Sequence, residues 1–218
     1  MSARTPDDRS SRPNSGKAHH ESSTSNKDAE MLARQIGVKA GPTTIGPTTI
    51  GPTTIGPEEE CGDFGIRIAR DGTWYYRGSP IGRLPLVKLF ATVLRRDADG
   101  GFWLVTPVER GRIEVDDAPF VAVAMQVAGG GREQALTFTT NLDQTVTAGP
   151  DHAIRVRLDP DTGEPSPYVL VRDGLEALIA RPVFYDLVEL GEERDVDGGR
   201  ELGVWSGGKF FTLGRLEP

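Results

Sequence analysis

Hydrophobic positions along this chain change period several times, and the changes mark its elements. Across "DFGIRIARDGTWYYRG" (63–78) apolar residues alternate on both sides of Asp71-Gly72, the pattern of two strands joined by a tight hairpin turn. In "LPLVKLFATVLRR" (84–96) the period lengthens. Leu86, Leu89, Phe90, Val93 and Leu94 share one helical face, and Pro85 suits a first turn. "DADGG" closes that helix, and "FWLVTP" (102–107) reads as a strand. About a hundred residues later the order recurs. "YVLVRDGLEALIA" (168–180) is strand, turn, strand, and "RPVFYDLVEL" (181–190) is a helix whose Phe184, Leu187 and Val188 match Leu86, Leu89 and Phe90. "RDVDGG" (194–199) then repeats "RDADGG" (96–101), and "ELGVWS" is the closing strand. Six elements in one order predict an internal duplication of a hairpin–helix–strand unit.

Between the two copies, "FVAVAMQVAGGGREQALTFTTN" (120–141) reads as two apolar strands around Gly129–Gly131. The runs are nearly continuous, so both faces are expected to be covered. "AIRVRL" (153–158) alternates, and "GVWSGGKFFTLG" (203–214) is a hairpin across Gly207-Gly208. The predicted fold is α+β. It has an N-terminal α+β lobe at 62–118 and a C-terminal β-rich lobe with one helix at 119–218.

Residues 1–61 are polar and lack an apolar period, so they predict a disordered, low-complexity tail. Within it, "DAEMLARQIG" (28–37) places Ala29, Leu32, Ala33 and Ile36 on one side, with Gly37 as a C-cap. So short a helix is expected to fray unless it docks. The pentapeptide GPTTI, repeated over 41–57, reads as an extended, polyproline-like spacer. His19-His20 reads as a solvated pair.

Composition narrows the function classes. The 218 residues carry a net charge of −7. From Cys61 onward 18 Lys and Arg face 24 Asp and Glu, interspersed, which argues against a nucleic-acid partner. No stretch approaches the roughly 18 apolar residues of a membrane span, and the N-terminus lacks the apolar core of a secretory signal. One cysteine excludes an internal disulfide. A soluble, cytoplasmic protein without membrane partners is the expectation.

Catalytic residue types are scarce. The twin hexapeptides lack the acidic ligand at position 5 and the Glu at position 12 of an EF-hand loop, counted from Asp97 or Asp195. They read as turns, and so does "DPDTGE" (159–164). No zinc cluster, phosphate loop or dinucleotide fingerprint appears, so no metal or cofactor is expected. His152 follows the turn sequence "AGPD", and Asp116-Asp117 precedes Ala-Pro as a turn or cap. The balance is against an enzyme.

Polar residues at strand ends stand out instead. Thr106, Pro107 and Glu109 end one strand. Thr139, Thr140 and Asn141 end another. Ser206, Gly207, Gly208 and Lys209 make the terminal turn. A cleft between duplicated lobes favours a ligand. Hydroxyls, an amide and glycine N–H groups, with Arg83 or Arg155, suit a small anionic one. A protein-interaction module and a carboxylate-based enzyme are the rival readings.

The stretches "DGTWYYRGSPIGR", "LVKLFATVLRRDADGGFWLVTPVE", "VDDAPF", "TTN", "RPVFYDLVEL" and "SGGKFFTLG", in this order, resemble the bacterial domain-of-unknown-function family 1285 across about residues 63–216. The resemblance implies two domains with internal duplication, the second loosely similar to pleckstrin-homology folds. It also implies a ligand site at the domain interface, for a nucleotide-like molecule, and a role in signal transduction. On it, Thr106, Pro107, Glu109, Thr140, Asn141, Ser206, Gly207 and Gly208 are the candidates carried over.

Overall fold

The computed structural model describes residues 18–35, 37, 62–107, 109–196 and 198–216. The GPTTI spacer, Ile36 and Cys61 lie outside these residues, and so do the side chains of His19 and His20. The described part is mostly β, with three α-helices.

The first sheet uses β1 (Asp63–Ile68), β2 (Trp74–Tyr76), β3 (Ser79–Pro80), β4 (Leu94–Arg96), β5 (Phe102–Val105) and β6 (Arg110–Val115) in the order β3-β2-β1-β6-β5-β4. Parallel β1 and β6 form its centre, and its other neighbours are antiparallel. At the β1–β2 turn the Asp71 carboxylate accepts the Thr73 N–H at 2.9 Å, while Gly72 takes φ +82°, a conformation that costs a Cβ-bearing residue. Helix α2 (Leu84–Thr92) buries Leu86, Val87, Phe90 and Ala91.

The second sheet uses β7 (Phe120–Ala128), β8 (Ala135–Thr140), β9 (Thr145–Thr147), β10 (Ile154–Leu158), β11 (Pro165–Arg172) and β12 (Leu175–Ile179) in the order β10-β11-β12-β7-β8-β9. Its centre is again a parallel pair, β12 with β7. Counted from the opposite edge, its strands take the same order as those of the first sheet. Helix α3 (Arg181–Glu189) buries Val183 and Leu187. It leads into a third sheet, the meander β13 (Glu192–Val196), β14 (Gly199–Ser206) and β15 (Lys209–Leu216).

Both hexapeptides are hairpin turns. Asp97 accepts the Gly101 N–H and the Trp103 indole N–H, each at 2.6 Å, between β4 and β5. Asp195 pairs with Arg200 between β13 and β14, with Gly198 at φ +92°. The hairpin–helix–hairpin order does recur, but the two runs are placed differently. In the first, both hairpins share one sheet; in the second, the hairpin after α3 opens the third sheet. Period and turn chemistry are local and set the order of elements. Sheet membership depends on which edges remain free.

Three expectations need correction. The helix beginning at Leu84 stops at Thr92, not Arg96. The Thr92 hydroxyl bonds the Leu89 carbonyl at 2.7 Å, and Leu94 pairs with Leu104 as a strand residue. The tail holds a longer helix than expected, α1 (Ala18–Gln35), and it docks: Ala29, Leu32 and Ala33 are buried in the common core. Gly37 follows it at φ +72°. Last, β7 is not covered on both faces, for Val123 is 50% exposed and Val127 46%. A β-bulge between Ala122 and Ala124 shifts the strand's phase, and the strand outruns its neighbour β12.

One hydrophobic cluster runs through both lobes, from Trp74 and Phe90 to Phe120, Phe138 and Phe211. Asn141 pins the seam. It accepts the Val121 N–H at 3.1 Å and donates to the Gly72 carbonyl at 3.3 Å. Arg172 of β11 crosses from the other side, donating to the Ala91 carbonyl near the end of α2 at 2.6 Å.

Candidate functional site

The three polar strand ends are not brought together. Thr106–Glu109 forms the β5–β6 turn, where the Thr106 hydroxyl accepts the Glu109 N–H at 3.1 Å. That turn precedes β6, whereas the Gly72 turn contacting Asn141 lies beyond β1, parallel to β6. The two are therefore at opposite ends of the first sheet, separated by the ~20 Å length of a six-residue strand. Thr140 is buried, and its hydroxyl accepts the Leu142 and Gln144 N–H groups. Ser206 is fully buried at the β14–β15 tip, donating to the Ala148 carbonyl at 2.7 Å and accepting the Leu136 N–H at 2.9 Å. Leu136 opens β8 and Asn141 follows its end, so these sites are again a strand length apart. Gly207 donates to the Gln134 carbonyl, and Gly208 takes φ +75° in the same turn. Pro107 is exposed in its turn. The single pocket expected from these stretches does not form, because each one spends its polar groups closing its own turn or docking a hairpin.

The two arginines are engaged as well. Arg83 pairs with Glu30 of α1. Arg155 makes a bidentate pair with Glu176, at 2.5 and 2.6 Å, and lies 4.3 Å over the Tyr168 ring. The Glu176 carboxylate holds the Arg155 guanidinium above its ordinary value.

A different set of residues meets at the seam. Strand β6 ends at Val115, so Asp116 and Asp117 sit where the chain crosses between lobes. Asp116 binds Arg67 of β1. The Asp117 side chain is only 7% exposed and gathers three partners. Arg70, from the β1–β2 turn, lies 3.2 Å away, Arg157 of β10 donates at 3.1 Å, and the Tyr168 hydroxyl donates at 2.7 Å. Burial pushes the Tyr168 phenol up, and its bond to the Asp117 carboxylate adds to the shift. Arg70 also donates to the Ser166 hydroxyl at 3.0 Å.

Beside this cluster opens a cleft of about 530 Å³, within the usual range for small-molecule sites. Arg70 enters it from the first lobe. Ser166, Leu178, Arg181, Phe184 and Tyr185 line it from the second. Arg181 pairs with Glu164 at the rim, yet its side chain is 67% exposed, and that of Arg70 is 63% exposed. Both can therefore swing onto a ligand. Helix α3 begins in the same wall, where Ala180 provides no side-chain cap, so the positive end of the helix dipole lies at the cleft. Two cations, a hydroxyl, a helix start and two aromatic rings line the one cleft.

None of these residues is among the ligand candidates that the sequence offers. Asp116-Asp117 forms a bend at the crossover between lobes, which makes it a junction. Arg70 lies in the recurring Arg-Asp-Gly turn, and Ser166 and Tyr168 alternate on β11 toward the seam. An alternating polar residue inside an apolar strand was the available signal.

Two family models match the chain: "Domain of unknown function (DUF1285), N-terminal domain" over residues 54–118, and "Protein of unknown function (DUF1285), C-terminal domain" over residues 119–213. Among solved structures, a DUF1285 family protein from Silicibacter pomeroyi DSS-3 is 48% identical, with a TM-score of 0.72, over 85% of this chain and 95% of that one. A second, from Shewanella baltica OS155, is 28% identical with a TM-score of 0.47, over 58% of this chain and 91% of that one. No curated protein matches the chain.

Proposed function

We propose that this chain, which belongs to the DUF1285 family, is a non-catalytic protein that binds a small, nucleotide-like anion in the cleft between its lobes and acts in signalling. The observation that carries this reading is the convergence of Arg70, Arg181, Ser166 and the start of α3 with Phe184 and Tyr185 in one cleft. Phosphate charge matches the arginines and the helix start. A flat ring matches the aromatic side. Asp117 is occupied by two arginines and a phenol, an arrangement suited to holding lobes together rather than to proton transfer. The ligand spans the seam, touching Arg70 from one lobe and Arg181 from the other, and binding stiffens their junction. The shared strand order of the two six-stranded sheets supports a duplicated origin for the lobes. Strands followed by α3 support the loose pleckstrin-homology likeness of the second.

Thermal-shift measurements against nucleotides and other phosphorylated metabolites test the proposal. A ligand at one hundred times its Kd adds about 2.7 kcal/mol, and Arg70→Ala with Arg181→Ala is expected to abolish the shift. No shift with any of them at millimolar concentration, or an equal shift in the double variant, overturns the reading.

A further inference from the structure

Exposed sheet edges are templates for pairing, and folded proteins blunt them with charge, proline or brevity. Five of the six outermost strands carry such protection plainly. Strand β3 has two residues and Pro80; β4 carries Arg95 and Arg96; β10 carries Arg155 and Arg157; β13 carries Glu192, Glu193, Arg194 and Asp195; β15 carries Lys209 and Arg215. The sixth, β9, has three residues. Strand β7 is different. It is central only over Phe120–Ala122, where β12 pairs with it. There β12 gives way to α3, and Ala180 makes the last bond across, to the Ala122 carbonyl at 3.0 Å. Past the bulge at Val123, Ala124–Ala128 pair with β8 alone.

This edge is six residues, or about 20 Å, long, and its protection is limited to the bulge at its start, between Ala122 and Ala124. Residues 118–131 contain no charged side chain and no proline besides Pro119, and β8 contains no charge either. Except for Met125, every residue of Val123–Ala128 is exposed. In a chain of net charge −7, it is a neutral stretch at which two copies meet without repulsion.

We infer that this edge of β7 pairs with the same edge of a second copy, antiparallel about a two-fold axis at Met125. In that register Val123 faces Val127 of the other copy, Ala124 faces Gln126 and the two Met125 residues meet, while Ala122 stays paired with β12. The match is self-complementary, as an isologous contact requires. The two second sheets then join into one continuous sheet. An acidic or basic peptide finds no opposite charge here, which is why a second copy is the fitting occupant. Six residues bury less than the roughly 1,600 Å² of a standard interface, so the dimer is weak and depends on concentration.

Sedimentation velocity on the full chain, from ~5 to ~500 µM to bracket the weak affinity expected of a small interface, reads this directly. The unmodified chain is expected to shift from monomer toward dimer. Val123→Lys with Val127→Lys is expected to weaken dimerisation by about tenfold or more, since like charges then oppose each other. Val123→Glu with Val127→Glu does the same, and an equimolar mixture of the two variants restores the dimer. Should a charged variant fail to fold, Met125→Cys in a Cys61→Ser background tests the axis under oxidation, because facing strand residues lie within disulfide reach. A monomer at every concentration overturns the inference. So do undiminished dimers of the lysine variant, or a Met125→Cys chain that forms no interchain disulfide.

Discussion

Ser206→Ala removes the hydroxyl of the most deeply buried polar residue among the described residues. The hydroxyl donates to the Ala148 carbonyl at 2.7 Å and accepts the Leu136 N–H at 2.9 Å, and Ser206 has no exposed surface. Alanine leaves both backbone groups without their partner. Each buried orphan costs about 1–3 kcal/mol, so the loss is about 2–4 kcal/mol if water does not enter. The tip cannot slide to recover, because Gly207 N–H is tied to Gln134 and a Cβ at Gly207 would already lie 3.1 Å from the Ala148 carbonyl. For a chain of this size that loss lowers Tm by roughly 5–15 °C. Urea unfolding with an unchanged m-value is the assay. Thr106→Ala is the control. Its turn keeps the bond from the Thr106 N–H to the Glu109 carbonyl, so it is expected to cost under about 1 kcal/mol. A Ser206→Ala loss below about 0.5 kcal/mol would refute the claim that this serine is a structural dock.

Gly72→Ala is expected to destabilise by about 2–4 kcal/mol, since it adds left-handed strain to a Cβ only 2.5 Å from the Asn141 amide nitrogen. Gly78→Ala shares the φ of +82° but meets open space, so an equal loss in urea unfolding would contradict the seam packing. Asp97 has its pKa lowered, first by the Trp103 indole bond. Its contribution is therefore present above the unfolded Asp value of about 3.9 and is lost as pH falls through the lower folded value. The Trp103 indole N–H signal in an NMR titration is expected to move with a midpoint below that value, and a midpoint at or above it counts against the turn. Leu32→Asp places a charge in the buried contact of α1. Amide exchange of residues 26–35 should then rise while the sheets stay protected; unchanged protection would mean that the helix is held some other way.

Elements written in local chemistry were legible. Asp71-Gly72 and Asp97 to Gly101 identify their turns because a short carboxylate and a glycine are what those turns use. The periodic face of α3 did the same for Leu187 and Val188. Positions decided by distant partners were not legible. Thr92 and Val93 are compatible with a helix, and only the pairing of Leu94 with Leu104 ends it. The polar strand ends were correctly seen as unusual, but their partners (Val121, Leu136, Ala148) are backbone groups far along the chain. Sequence offers no marker for such bonds. The cleft residues Arg70, Ser166 and Arg181 come from a turn, a strand end and a helix start that share no motif, so only the fold gathers them.

The most direct test of the central claim is an amide and arginine-side-chain NMR titration of the full chain with AMP, GMP and pyrophosphate in parallel. The account expects saturable shifts confined to Arg70, Ser166, Arg181 and the first turn of α3, with the nucleotides also moving Phe184 and Tyr185. Shifts centred instead on the turns of Thr106 or Ser206, or none at millimolar ligand, would contradict it.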